Sequence, residues 1–275
     1  MWLVLLGALA VAPLSACQAG ALTSGRAPIE VAYGDAERQR MDVYRPNAQT
    51  RAPILVMVHG GAWRIGDKAN RAVVNNKLAY WGKQGWLFIS LNYRMLPDTA
   101  PYTQAEDVAA ALGYIQQHAA QWGGDPDRIV AMGHSAGAHL VTLVATDPKL
   151  GGSLDGVLGT VSLDTAALDV EAIMTERHPR LYDRAFGDDP DYWRKTSPLR
   201  QLHPGVKPLL LVCSTRRDNS CSHAQHFASQ ADKLAVRTEV LPVDLSHGAI
   251  NSDLGEQSRY TDNVDRFIKG LLPAL

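Results

Sequence analysis

The sequence predicts an α/β fold, a mostly parallel sheet with helices on both faces, and three observations predict it. From Ala52 onward, apolar runs of strand length alternate with segments whose apolar residues recur at helical spacing. The strand-like runs are almost continuously apolar, as in "PILVMVHG" (53–60), which marks strands covered on both faces rather than one. The chain has 275 residues, 46% of them hydrophobic, enough for one large core, and no Pro/Gly/Ser-rich linker divides it.

The elements follow in order. "IEVAYG" and "RQRMDVYRP" near the start predict a two-strand hairpin. A strand over 53–60 leads to a helix over 70–85 closed by Gly85, then to the strand "WLFISLNYR" (86–94). The spacing predicts a helix over 102–123, a strand over 128–135, a helix over 136–146 and a strand over 156–164. After residue 206 come "KPLLLVCST" (207–215), a helix over 222–235, "RTEVLPV" (237–243) and a last helix from about 257. The stretch 165–206, with Leu181, Tyr182, Phe186, Tyr192 and Trp193, is either a connection packed on the body or a small lid with apolar walls.

The first residues read differently from the body. No charged side chain precedes Arg26, and the apolar part, residues 1–16, is shorter than the ~20 residues that span a bilayer. Its length suits the apolar core of a signal peptide, and "LSAC" at 14–17 resembles the bacterial lipoprotein box. The departure is the missing Lys or Arg ahead of the apolar run. The expectation is a signal peptide over 1–16, a lipid on Cys17, a linker over 17–28 and a domain over 29–275. That makes an exported bacterial protein, periplasmic or membrane-anchored, touching the membrane only through the lipid. Cys213 and Cys221 are then either two free thiols or a disulfide suited to an oxidising compartment.

Net charge is −1, without like-charge runs, so no nucleic acid partner is expected. In such sheets reactive groups gather at the carboxyl ends of the strands. The positions there are His59-Gly60-Gly61, Tyr93-Arg94, Gly133-His134-Ser135, Asp164, the 214–220 loop and the 244–248 loop. "GHSAG" (133–137) lies at a strand-to-helix junction, where glycines permit the tight turn that lifts a serine hydroxyl above the sheet. The N–H of Ala136, at a helix N-terminus, then faces developing negative charge. "HGGAW" (59–63) can bring the N–H groups of Gly61 and Ala62 to the same oxygen. It matches neither phosphate-loop pattern, so no nucleotide cofactor is expected.

Of nine histidines, His247 in "DLSHGAI" follows the last strand and is the candidate base. His223 and His226 share a helix face without a third ligand, so no metal is expected. His118, His139, His178 and His203 have no supporting context, and Tyr93 and Arg94 read as structural. Asp218, in the loop after 207–215, is the candidate acid, preferred to Asp244, which lies in the histidine's own loop. The order Ser135, Asp218, His247 is that of the α/β-hydrolases.

"HGGAW", "NYR", "GHSAG", "RRD" and "LSHG", in this order, resemble the α/β-hydrolase carboxylesterases, in the branch near hormone-sensitive-lipase-like esterases, bacterial acetyl/feruloyl esterases and kynurenine formamidase. The likeness runs from about Ile29 to the C-terminus. It implies an eight-stranded sheet, a triad of Ser135, Asp218 and His247, and an oxyanion hole of Gly61, Ala62 and Ala136, with HGGA in place of HGGG. The activity implied is that of a serine hydrolase on short-chain acyl esters. A kynurenine-type formamide hydrolase and a non-catalytic binding protein on the same fold are the alternatives. Trp63, His134, Tyr182 and Trp193 are the expected pocket residues, and the insertion is a lid between the sixth and seventh strands.

Overall fold

The computed structural model describes residues 27–46 and 51–273. The expected signal peptide, Cys17 and most of the linker lie outside the described residues. An antiparallel hairpin, β1 (Ile29–Ala32) and β2 (Arg40–Tyr44), opens the fold, and β2 pairs antiparallel with β4. The parallel strands are β3 (Ala52–Val58), β4 (Leu87–Leu91), β5 (Gly124–His134), β6 (Val157–Leu163), β7 (Leu209–Ser214) and β8 (Thr238–Val243). The eight strands form one sheet in the order β1-β2-β4-β3-β5-β6-β7-β8. This is the mostly parallel eight-stranded sheet expected from the sequence.

Alternation along each strand divides the core. Ile54, Val56 and Val58 of β3 face one cluster with Leu140 and Val141, while Leu55 and Met57 face another with Val73, Val74 and Phe267. The first face is covered by α2 (Pro101–His118) and α3 (Ala136–Thr146), the second by α1 (Arg71–Trp81) and α10 (Arg259–Lys269). Trp81 cannot leave its indole N–H unpaired at full burial, and it donates to Asp265 of α10 at 3.0 Å. Asn70, Asp169, Ser246 and Ser258 each cap a helix by accepting a backbone N–H from its first turn.

Five helices were not resolved individually by the sequence: the single turn α4 (Pro148–Gly151), in the insertion α5 (Val170–Thr175), α6 (Arg180–Phe186) and α7 (Pro190–Thr196), and α9 (His247–Ser252), where a loop was expected. Each is at most seven residues long, too short for a period of 3.6 to show above irregular chain. The insertion packs on the α2–α3 side, where Ala185 and Phe186 join that core cluster. The remaining α-helix is α8 (Ser220–Asp232), which covers β7.

Cys213 at the end of β7 and Cys221 at the start of α8 are bonded, their Cα atoms 5.0 Å apart. The bond closes the 214–220 loop at both ends, against a strand on one side and a helix on the other. A cross-link eight residues apart removes loop entropy from the unfolded chain worth about 2.5 kcal/mol. Replacing both cysteines with alanine should lower stability by about this amount, read from urea unfolding with and without reductant, and reductant should leave the double variant unchanged.

Candidate active site

Ser135 sits where β5 ends and α3 begins, at φ 55° and ψ −116°, a conformation an L-residue adopts only under strain. Its glycines make the turn. A Cβ on Gly133 would lie 2.3 Å from the Gly137 carbonyl oxygen, and one on Gly137 would lie 2.3 Å from the Val58 oxygen. So helix α3 can approach the sheet only with glycine at both positions. Ser135 stays partly exposed while His134 and Ala136 on either side are buried. The 59–66 loop comes close from β3, since a Cβ on Gly60 would be 3.0 Å from the Ser135 Cβ. Among the described residues, no hydrogen bond occupies the N–H of Gly61, Ala62 or Ala136.

His247 begins α9 and is brought to the elbow from β5. The His134 Nε2–H donates to the His247 carbonyl at 2.8 Å, and the two rings lie 4.5 Å apart. His134 is therefore a buried brace for the histidine loop. Burial, with His247 beside it, pushes His134 down to about 3, so it stays neutral.

The carboxylate on His247 belongs to Asp164. Its Oδ2 is 2.6 Å from His247 Nδ1. A carboxylate only accepts, so Nδ1 carries the hydrogen and Nε2 is left as the basic nitrogen. Asp164 is fully buried at the tip of β6, between the strands that carry Ser135 and the 214–220 loop. Its Oδ1 accepts from the Ser214 N–H at 3.1 Å and from the Ser220 hydroxyl. Arg217 Nη1 donates to Oδ2 at 2.6 Å and lies 3.1 Å from His247 Nδ1, without a bond to it because that nitrogen bears hydrogen. Burial alone would raise the Asp164 pKa. The bonds from His247, Ser220 and Arg217, and the Arg217 charge, outweigh it and hold the group ionised, well below the usual carboxylate range.

Asp218 is the main correction. It is exposed, one residue beyond Arg217, and no bond joins it to His247. The loop turns Arg217 inward onto Asp164, and the next side chain consequently points out. Asp164 was among the strand-end positions in the sequence, and it is the one where a carboxylate directly ends a buried strand. Its neighbours in space, Arg217 and Ser220, are more than fifty residues away in sequence and give no local signal. Asp244 pairs with Arg216 at 2.7 Å on the surface.

The expected pocket residues divide. Trp63 is 3% exposed, with its indole N–H on His139, and is a core residue behind the loop rather than an open wall. His134 is committed to the His247 carbonyl. Trp193 donates to the Phe186 and Gly187 carbonyls and ties α6 to α7. Tyr182 is half-buried, packed on Trp63 and Phe186, and burial raises its hydroxyl pKa, with Arg217 and Asp164 both near enough to act on it. Tyr93 and Arg94 are structural, bonded to the His59 carbonyl and to Asp107.

Three buried histidines, His59, His134 and His139, are held below the usual imidazole range by burial and give the fold an acid-sensitive component. Burial pushes His139 down to about 4 and His134 to about 3, while the unfolded chain takes up protons near 6.5. Both groups thus bind fewer protons folded than unfolded below pH 6.5, so stability is whole above that pH and declines as pH falls towards 4. Unfolding free energies from urea titrations between pH 7 and 4.5 should drop by roughly 2 kcal/mol for each of His134 and His139, and His139→Gln should flatten the slope. A level profile over that range would show that these rings are not held neutral.

Comparison with known proteins supplies the wider setting. A probable isoprenylcysteine alpha-carbonyl methylesterase of Arabidopsis thaliana is 27% identical over 88% of this chain and 54% of its own length. Esterase LipQ of Mycobacterium tuberculosis is 28% identical over 66% of this chain and 47% of its own. The chain thus spans about half the length of these curated relatives. Thermogutta terrifontis esterase 2 phosphonylated by sarin superimposes with a TM-score of 0.75 at 20% identity, covering 90% of this chain and 97% of that one. The butyrate-bound form gives 0.73 at 21% identity, over 89% and 94%. The architecture shared with these structures is the α/β-hydrolase fold. Residues 41–179, half of the chain and the part that carries the elbow, the glycine loop and Asp164, match the BD-FAE family, and the protein belongs to it.

Proposed function

We propose that the protein hydrolyses carboxylic esters through an acyl-enzyme, with Ser135 as nucleophile, His247 as base and Asp164 as the acid that orients it. One observation carries this reading. A strained serine at a strand-to-helix turn shares one end of the sheet with a histidine whose Nδ1–H is fixed on a buried carboxylate. That bond leaves Nε2 free to take the Ser135 proton as the hydroxyl attacks the ester carbonyl. The N–H groups of Gly61, Ala62 and Ala136 receive the negative oxygen, one such donor being worth about 3 kcal/mol. His247 then protonates the leaving alcohol. Water, deprotonated by the same imidazole, attacks the acyl-enzyme and restores the serine. Asp164 remains ionised throughout and balances the transient imidazolium.

The names of the relatives support ester hydrolysis, and the shortness of the insertion, whose helices run six or seven residues, favours a small acyl group over a long chain. Tyr182 on α6 borders the site, and Ile65 and Leu181, both exposed, lie in the glycine loop and beside Tyr182. The "LSAC" sequence supports export with a lipid on Cys17.

Ser135→Ala should abolish turnover of 4-nitrophenyl acetate and labelling by a fluorophosphonate without changing the fold. Asp164→Asn should lower kcat by roughly 10³- to 10⁴-fold, because the histidine loses its tautomer control, while Asp218→Asn stays within about threefold of the parent. The reverse ranking of the two aspartates, measured by steady-state kinetics, would assign the acid to Asp218.

A further inference from the structure

His139 lies fully buried in α3, and no step of the reaction proposed above uses it. Its ring has two partners of opposite kind. Nδ1 is 3.1 Å from the Trp63 indole Nε1, which can only donate. Nε2 is 2.8 Å from the Thr196 carbonyl oxygen, which can only accept. A single neutral tautomer, with hydrogen on Nε2, satisfies both. One side chain on the helix behind the nucleophile therefore grips the glycine loop on one side and the end of the insertion, at α7, on the other. Phe186 of α6 closes the cluster, its ring 4.9 Å from that of Trp63 and 5.6 Å from that of His139.

The backbone it grips is strained. Ala62 has φ 51° and Trp63 φ 59°, the left-handed region, and neither is glycine. Such residues persist only where the surroundings hold them. The Trp63 carbonyl is held by the Leu96 N–H at 2.9 Å and the Gln104 Nε2 at 2.9 Å. Its ring is fixed in direction by His139. The two residues before Trp63 are the proposed oxyanion donors Gly61 and Ala62, whose N–H groups must meet a reacting oxygen within a fraction of an ångström.

The geometry points to His139 as the positioning residue of the oxyanion loop: it anchors Trp63, and through Trp63 it sets the N–H groups of Gly61 and Ala62 while docking the insertion on the same ring. This rests on the ester-hydrolase reading of the site. The donors act chiefly on the transition state, so losing the anchor lowers kcat and leaves KM largely alone.

The test is steady-state hydrolysis of 4-nitrophenyl acetate at pH 8 by the parent, His139→Leu, His139→Asn, Trp63→Phe and the double variant that combines His139→Leu with Trp63→Phe. His139→Leu should lower kcat by about 10²-fold with KM within about threefold, the scale of one misplaced oxyanion donor. His139→Asn, whose Oδ1 can accept from the indole near the Nδ1 position, should stay within about tenfold of the parent, while Trp63→Phe should match His139→Leu and the double variant should fall no further. Parental kcat in both single variants, or two losses that multiply in the double variant, overturns the proposal. If His139→Leu does not fold, Trp63→Phe and His139→Asn decide by the same kcat criterion. A parent that fails to hydrolyse the ester, or a Ser135→Ala variant that still does, instead refutes the ester-hydrolase reading.

Discussion

The site depends on one buried charge. Asp164 is out of water at the end of β6, and an ionised carboxylate there is tolerable only because four donors converge on it. Those donors come from three places: the Ser214 N–H and Arg217 from the loop after β7, Ser220 from the head of α8, and His247 from the head of α9. Satisfying the carboxylate thus fixes the histidine, and the requirement reaches into the loops after β7 and β8. The Cys213–Cys221 bond spans the stretch that supplies three of the four. Its contribution to the site is to hold those donors in register.

A second constraint is the close approach of helix α3 to the sheet. With glycine at 133 and 137, the helix start lies against β3 and β5, which places the Ala136 N–H and the 59–66 loop on the same side of Ser135. The strain of the elbow and of Ala62 and Trp63 is borne by the packing around them. Trp63 is buried among His139, Phe186 and Tyr182, with its indole N–H and its carbonyl oxygen engaged. The insertion therefore has a structural role that a lid over an open pocket would not require. Through Phe186 and Thr196 it forms the back wall of the glycine loop.

Arg217 shares the Asp164 carboxylate with the histidine: its guanidinium and the His247 Nδ1–H both reach Oδ2, so the imidazole is oriented by a hydrogen bond to a carboxylate already paired with a cation. Arg217 is one-third exposed, and its pairing with a fully buried carboxylate is consequently stronger than a surface ion pair.

The sheet, the elbow, the glycine loop and the place of His247 were legible in the sequence, because each is a local pattern. Continuous apolar runs mark buried strands, GHSAG marks a turn only glycines allow, and His247 follows the last strand directly. The insertion's short helices were not legible, since six or seven residues cannot display a helical period. Which carboxylate meets His247 followed from contacts between distant segments. Arg217 and Asp218 are adjacent, and which of them faces inward is set by the path of a loop stapled at both ends, while Asp164 meets His247 across eighty-three residues. His139 follows the same logic. In sequence it is one more residue in an apolar helix, and only the fold brings an indole and a carbonyl to its two nitrogens, because contacts between distant segments leave no trace in local spacing.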